Sequence, residues 1–141
     1  MKILFDTNVI LDALLQRHPH DIPARQLLAA VECQLLNGFL AATTVTTIHY
    51  LATRAANHRQ SQQHITRLLM LFSIAPINHL VLADALLQSF TDYEDAVLHE
   101  AARHAGVDGI VTRNGADFAG ATLPIYTPDE LLVLLRTMPG K

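Results

Sequence analysis

Two short, unbroken apolar runs leave this chain few architectures. Ile3-Leu4-Phe5 stops at Asp6, and Gly109-Ile110-Val111 runs into Thr112. Neither alternates apolar with polar side chains, so each reads as a strand covered on both faces, the pattern of a parallel sheet enclosed by helices. Further strands are expected over 39–42, after a turn signalled by Asn37-Gly38, over 72–77, and at a sheet edge over 123–126. Helical periodicity fills the intervals at 8–16, 21–32, 44–56, 59–71, 80–88 and 92–105. Pro23 suits a first turn, and Gly106 suits the stop after 105. Thr127-Pro128-Asp129-Glu130 opens a last helix with an N-cap, an N1 proline and a capping box. Strands alternating with helices predict an α/β domain of three layers, helix, sheet and helix, with a mostly parallel sheet of four to five strands. At 141 residues the chain suits one domain, expected over 1–137, with 138–141 frayed.

Composition narrows the class. The apolar N-terminus is cut by Asp6 and Asp12 before a signal-peptide core can form, and no other stretch is long enough to cross a membrane. Cys33 is the only cysteine, which excludes a disulfide framework or a structural zinc finger and fits a reducing, cytoplasmic setting. The formal net charge of −3 argues against the non-specific DNA binding of a basic domain. It does not argue against nucleic acid as such, because a metal held by carboxylates carries positive charge to a phosphodiester. Lysine occurs only at Lys2 and Lys141, the other basic residues being arginines, which suit planar phosphate contacts.

In open parallel sheets ligands bind beyond the carboxyl ends of the strands, so polar residues just after a buried strand are site candidates. Asp6 directly follows the first strand; the alternative for it is an ordinary helix cap. Asp92-Tyr93-Glu94-Asp95 heads a helix whose body is apolar. Thr91 with Glu94 matches a capping box there, and first-turn acids complement the helix dipole. Capping explains Asp95 poorly, since Asp92 and Asp95 share a face and the helix turns apolar at Ala96. Thr112, Asn114 and Asp117 fall just after the second strand. If the two strands are neighbours at the sheet centre, Asp6, Asp95 and the 114–117 turn converge. Clustered carboxylates raise one another's pKa values, so a fold keeps them for a cation. A set of oxygen donors alone selects a hard ion, Mg²⁺ or Mn²⁺, able to activate water against a phosphodiester.

Asp6-Thr7-Asn8-Val9-Ile10-Leu11-Asp12, Asp92-Tyr93-Glu94-Asp95-Ala96, and Thr112-Arg113-Asn114 with Asp117-Phe118 together resemble the PIN domain nucleases, many of them VapC-type toxins of toxin–antitoxin pairs. The resemblance covers nearly the whole chain. It implies a five-stranded parallel sheet, Mg²⁺- or Mn²⁺-dependent endoribonuclease activity on an RNA substrate, frequent dimerisation and a small antitoxin that blocks the site. It carries the metal-binding aspartates to Asp6 and Asp95, and the last polar contribution to Asn114 and Asp117. Asp92 is an additional candidate, and Asn8, Thr112 and Asn114 are supporting polar residues. One departure stands out: the helix after the second strand usually supplies a glutamate, and the matching position is Thr47. That motivates an alternative, a catalytically weakened PIN-like domain that binds RNA or protein.

Other readings fare worse. A dehalogenase-like phosphatase needs an aspartate where Asn8 stands, and a receiver domain needs an internal lysine, which is absent. His18-Pro19-His20 lacks further metal ligands, and His49 suits a helix surface. Arg17, Arg54 and Arg113 are candidates for phosphate contact only if they border the acidic end. The apolar segments 65–71 and 80–87 exceed what one small domain covers, which predicts a homodimer.

Overall fold

The computed structural model describes residues 1–138. Strands β1 (Lys2–Phe5), β2 (Asn37–Ala41), β3 (Ser73–Ala75), β4 (Gly109–Val111) and β5 (Ile125–Tyr126) form one sheet in the order β3-β2-β1-β4-β5. Every pairing is parallel. The helices are α1 (Thr7–Leu14), α2 (Asp21–Glu32), α3 (Ala42–Ala55), α4 (His58–Leu71), α5 (His79–Ala85), α6 (Tyr93–Ala105) and α7 (Pro128–Thr137). None of them is long and apolar enough to cross a membrane. The five-stranded parallel sheet expected from the sequence is present.

Alternation along the central strands builds two cores. Ile3 and Phe5 of β1, Leu40 of β2 and Val111 of β4 pack with Val9, Leu27, Ile48, Leu68 and Leu131, from helices α1, α2, α3, α4 and α7. Leu4, Ala41 and Ile110 face the other way, onto Val81 and Ala85 of α5 and Val97, Leu98 and Ala101 of α6. Both faces of the sheet centre are therefore dry, which is why residues 3–5 of β1 and all of β4 carry no polar alternation.

Boundaries differ where tertiary contacts override local signals. Asn37-Gly38 is not a turn but the start of β2, with Gly38 registered against Ile3. The turn lies earlier, where Gln34 adopts a left-handed φ of 60° and Leu35 N–H donates to the Ala30 carbonyl at 2.9 Å. Gly38 serves a packing purpose: a Cβ there would stand 2.5 Å from Cε2 of Phe72, a ring packed edge-on against Phe5. Helix α3 begins at Ala42, without a loop after β2, and α5 ends at Ala85, not 88. The strand expected over 123–126 is reduced to its last two residues. The capping box expected at Thr127 and Glu130 is complete, with Pro128 in the first turn. Gly106 closes α6 at a φ of 73°. Of the segment expected to fray, 139–141 lies outside the described residues.

Replacing Gly38 by Ala forces the Phe72 ring to move within a filled core, so it should cost about 1–3 kcal/mol. Urea unfolding reads this directly; an unchanged midpoint would mean the core yields at no cost.

Candidate metal centre

The strand order turns back between β1 and β4, and their carboxyl ends stop side by side. Asp6 N–H continues the β1–β4 ladder, donating to the Val111 carbonyl at 3.0 Å. Asp6 sits at the N-cap position of α1, yet its side chain makes no capping bond. The hydroxyl of Thr112, the residue after β4, donates to Asp6 Oδ2 at 2.7 Å instead. Asn114 N–H donates to that hydroxyl oxygen at 3.0 Å, which directs the hydroxyl proton toward the carboxylate. Asp6 is only 7% exposed. Burial pushes its pKa above the ordinary 3.8, the Thr112 hydroxyl and the Thr7 backbone amide pull against that rise, and Asp117 adds to it while Arg113 opposes it.

Helix α6 delivers the next carboxylates and divides two roles between them. Its cap is Asp92, not Thr91: Asp92 Oδ1 accepts the Glu94 N–H at 2.8 Å. Asp95 is left free of capping and half-buried. Its pKa rises from 3.8 to about 6, first through burial and then through the charges of Asp92, Asp6, Asp117 and Glu94. Asp117 is exposed on a 3-10 turn, Gly115–Phe118, whose Asp117 N–H donates to the Asn114 carbonyl at 3.0 Å. Charges from three separate segments thus act on Asp95: those of Asp6, Asp92 and Asp117 all raise its pKa, and Asp117 acts on Asp6 as well.

The cations of this region are engaged elsewhere. Arg113 donates through Nε to Asp12 Oδ2 at 2.6 Å and through Nη2 to Asp12 Oδ1 at 3.2 Å. Arg17 Nε lies 2.9 Å from Asp12 Oδ1 without the alignment of a hydrogen bond. Its Nη2 donates to the Asn8 carbonyl and Asn8 Oδ1, both at 3.4 Å, so Asn8 serves Arg17 and its side chain makes no hydrogen bond to the carboxylates. Asp12 is a residue that sequence reasoning passed over. Its signal was a carboxylate on the apolar face of α1, a position that requires a buried cation partner. Asp21 has Arg25 and His18 beside it. Among the described residues, Asp6 is therefore the buried carboxylate without a basic partner.

Helix α3 brings hydroxyls, not a carboxylate, to this end. Thr44 is buried, its Oγ1 3.0 Å from that of Thr7. Thr47, one turn further on, donates to its own helix at the Thr43 carbonyl. His49 stacks edge-on with His58, Arg54 pairs with the Tyr50 hydroxyl, and His18 lies against Asp21.

Among the described residues, three ligating side chains lie within 4.8 Å of one another only at Asp84, Glu100 and His104, farther along α6. Arg103 bridges Asp84 and Glu100 there, and His104 pairs with Asp84. Those carboxylates are already neutralised, so the group is an ion-pair network. No three of Asp6, Asp92, Asp95 and Asp117 come that close. Their donor set, oxygen alone with uncompensated charge, fits a hard divalent ion.

A raised carboxyl pKa means that the folded state holds the proton more tightly than the unfolded chain. Its stability contribution is present below about pH 4 and is lost as pH rises through about 6. In EDTA, Asp95→Asn should therefore melt above the wild type at pH 7.5, with the gap closing toward pH 4. Coincident curves at both pH values would remove Asp95 from the shared charge.

A family model described as PIN domain matches residues 2–116. Direct comparison with curated protein sequences finds no match. Among solved structures, FitAcB from Neisseria gonorrhoeae is similar at 21% identity and a TM-score of 0.67, over 89% of this chain and 97% of that one. A toxin–antitoxin complex from Klebsiella pneumoniae is similar at 25% identity and a TM-score of 0.65, over 89% and 97%. VapC20 of Mycobacterium tuberculosis, described as a sarcin-ricin loop cleaving toxin, is similar at 14% identity and a TM-score of 0.62, over 77% and 86%. The order of strands, the acidic residues at their carboxyl ends and the family match across most of its length agree: this chain belongs to the PIN domain family.

Proposed function

We propose that the protein is a Mg²⁺- or Mn²⁺-dependent endoribonuclease, the toxin of a toxin–antitoxin pair, working in the reducing cytoplasm. The observation that carries the metal reading is Asp6, a buried carboxylate supported by a hydroxyl where the other buried acids have arginine or histidine partners. A fold that leaves one acid uncompensated beside three others reserves the place for a cation. Asp6 and Asp95 are the central ligands in this reading, with Asp117 and the uncommitted oxygen of Asp92 completing the set. When bound, such an ion polarises a phosphoryl oxygen and lowers the pKa of bound water.

The chain's own groups supply orientation. Thr112, itself held by Asn114 N–H, fixes the rotation of the Asp6 carboxylate, and Asp92 ties the first turn of α6 so that Asp95 is presented at a set height. Arg113 anchors the start of the 113–118 loop to α1 through Asp12. Likeness to a sarcin-ricin loop cleaving toxin and to a toxin–antitoxin complex supports RNA as substrate and a small antitoxin as partner.

A second reading has its own observation. Thr47 stands where a glutamate is expected and spends its hydroxyl on the Thr43 carbonyl, which favours a weakened centre that binds RNA or protein without cutting. Cleavage assays on defined RNAs separate the two. The expected result is cleavage with Mn²⁺ or Mg²⁺, silence in EDTA, and loss of about a hundredfold or more in Asp95→Asn, which removes a charge from the centre without opening a cavity. Cleavage that persists in chelator overturns the metal mechanism. RNA binding without cleavage at any metal concentration selects the weakened reading.

Self-association belongs to the same proposal. Leu86 and Leu87 are 72% and 83% exposed at the end of α5, with Leu80 and Leu82 also open to solvent. Such a stripe on a small domain suits burial against a second copy. Light scattering at micromolar concentration should give the mass of a dimer, and Leu86→Glu with Leu87→Glu should return a monomer; a monomeric wild type would refute this part.

A further inference from the structure

His99 and Glu100, both wholly buried, take no part in the centre described above. His99 follows Asp95 by one helical turn and shares its face of α6. Its Nε2 accepts the backbone N–H of Thr122 at 3.1 Å and, more distantly, that of Leu123 at 3.4 Å. Among the described residues, neither amide has another acceptor. A ring nitrogen that accepts an N–H carries no proton, so the imidazole proton resides on Nδ1, 2.8 Å from Glu100 Oε2, to which it donates. The other Glu100 oxygen accepts from Arg103 Nε at 2.9 Å. Arg103 thus compensates the buried anion, and the anion sets the tautomer of His99.

The same imidazole touches the segments on either side of the centre. Phe90, two residues before Asp92, packs its ring 5.3 Å from that of His99 and 5.9 Å from that of Phe118, the neighbour of Asp117. A Cβ at Gly120 would meet Ser89 Oγ at 3.3 Å, so the chain after Asp117 runs close against the chain leading to Asp92. The chain leading to Asp92, the helix carrying Asp95 and the chain following Asp117 are joined at one side chain.

Resting on the metal-centre reading, we infer that His99 is a positioning residue for the acidic centre: by holding the Thr122 and Leu123 amides it fixes the segment carrying Asp117 against the helix carrying Asp95. Glu100 acts one step behind, by keeping Nε2 free to accept.

The test uses the full chain, two variants at His99 and an Asp117→Asn background. His99→Phe keeps a ring in the cavity and removes both nitrogens, leaving the two amides unpaired; His99→Gln retains one acceptor. In metal-free protein, His99→Phe should speed amide hydrogen exchange at Thr122 and Leu123 and through 115–118, while β1 and the body of α6 stay protected. Calorimetric titration with Mn²⁺ should show a loss of affinity of about tenfold to a hundredfold, partly restored in His99→Gln. In an Asp117→Asn background the His99→Phe effect on Mn²⁺ should vanish, because the ligand it positions is gone. Unchanged exchange at 115–118, exchange raised uniformly across the fold, or an equal affinity loss in both backgrounds would each overturn the positioning role. A wild type that takes up no Mn²⁺ sinks the metal reading alone, and the exchange pattern still decides the role of His99.

Discussion

The hydrogen bond from Thr112 to Asp6 is the contact that organises the carboxyl end of the sheet, where the metal centre is proposed. It exists only because β1 and β4 run parallel at the sheet centre and end together, so that the residues next in line, 106 positions apart in sequence, become neighbours. Desolvating a carboxylate costs more than one hydroxyl returns, and the pKa of Asp6 stays raised, first through burial and further through Asp117. The bond fixes where the carboxylate points. It does not neutralise it.

That remainder is informative because the same chain solves the problem differently elsewhere. Asp12 meets Arg113 and Arg17, Asp21 meets Arg25, and Glu100 meets Arg103 and His99. Arg113 comes near enough to Asp6 to lower its pKa, yet spends its hydrogen bonds on Asp12. An arginine able to cancel the charge at the strand ends is held one step away from it, in a role that stiffens the loop.

Helix α6 extends the same logic. Asp92 and Asp95 differ by three residues and are both first-turn acids, for which capping is the ordinary role. The structure gives the cap to Asp92 and leaves Asp95 to the charge cluster. One turn on, His99 ties that helix to the segment after Asp117, so the positions of three carboxylates are settled by one helix and the contacts along it.

The sequence by itself determined the alternation of buried strands and helices, the parallel sheet, the caps at Gly106 and Thr127, and the location of Asp6, Asp95 and Asp117 after strands or at a helix start. Those features are local: apolar runs, periodicity and capping act within a few residues, so they can be read along the chain. Tertiary structure alone decided that Gly38 belongs to a strand and not to a turn, because the room it leaves is filled by Phe72 from another element. It also decided that Arg113 would go to Asp12 and only a hydroxyl to Asp6. Asp6 and Asp12 look alike in sequence, each an aspartate in an apolar setting near the N-terminus. Asp12 has one local partner, Arg17, but the hydroxyl that meets Asp6 and the Arg113 that completes the pairing of Asp12 both come from more than a hundred positions away, beyond the reach of any local pattern.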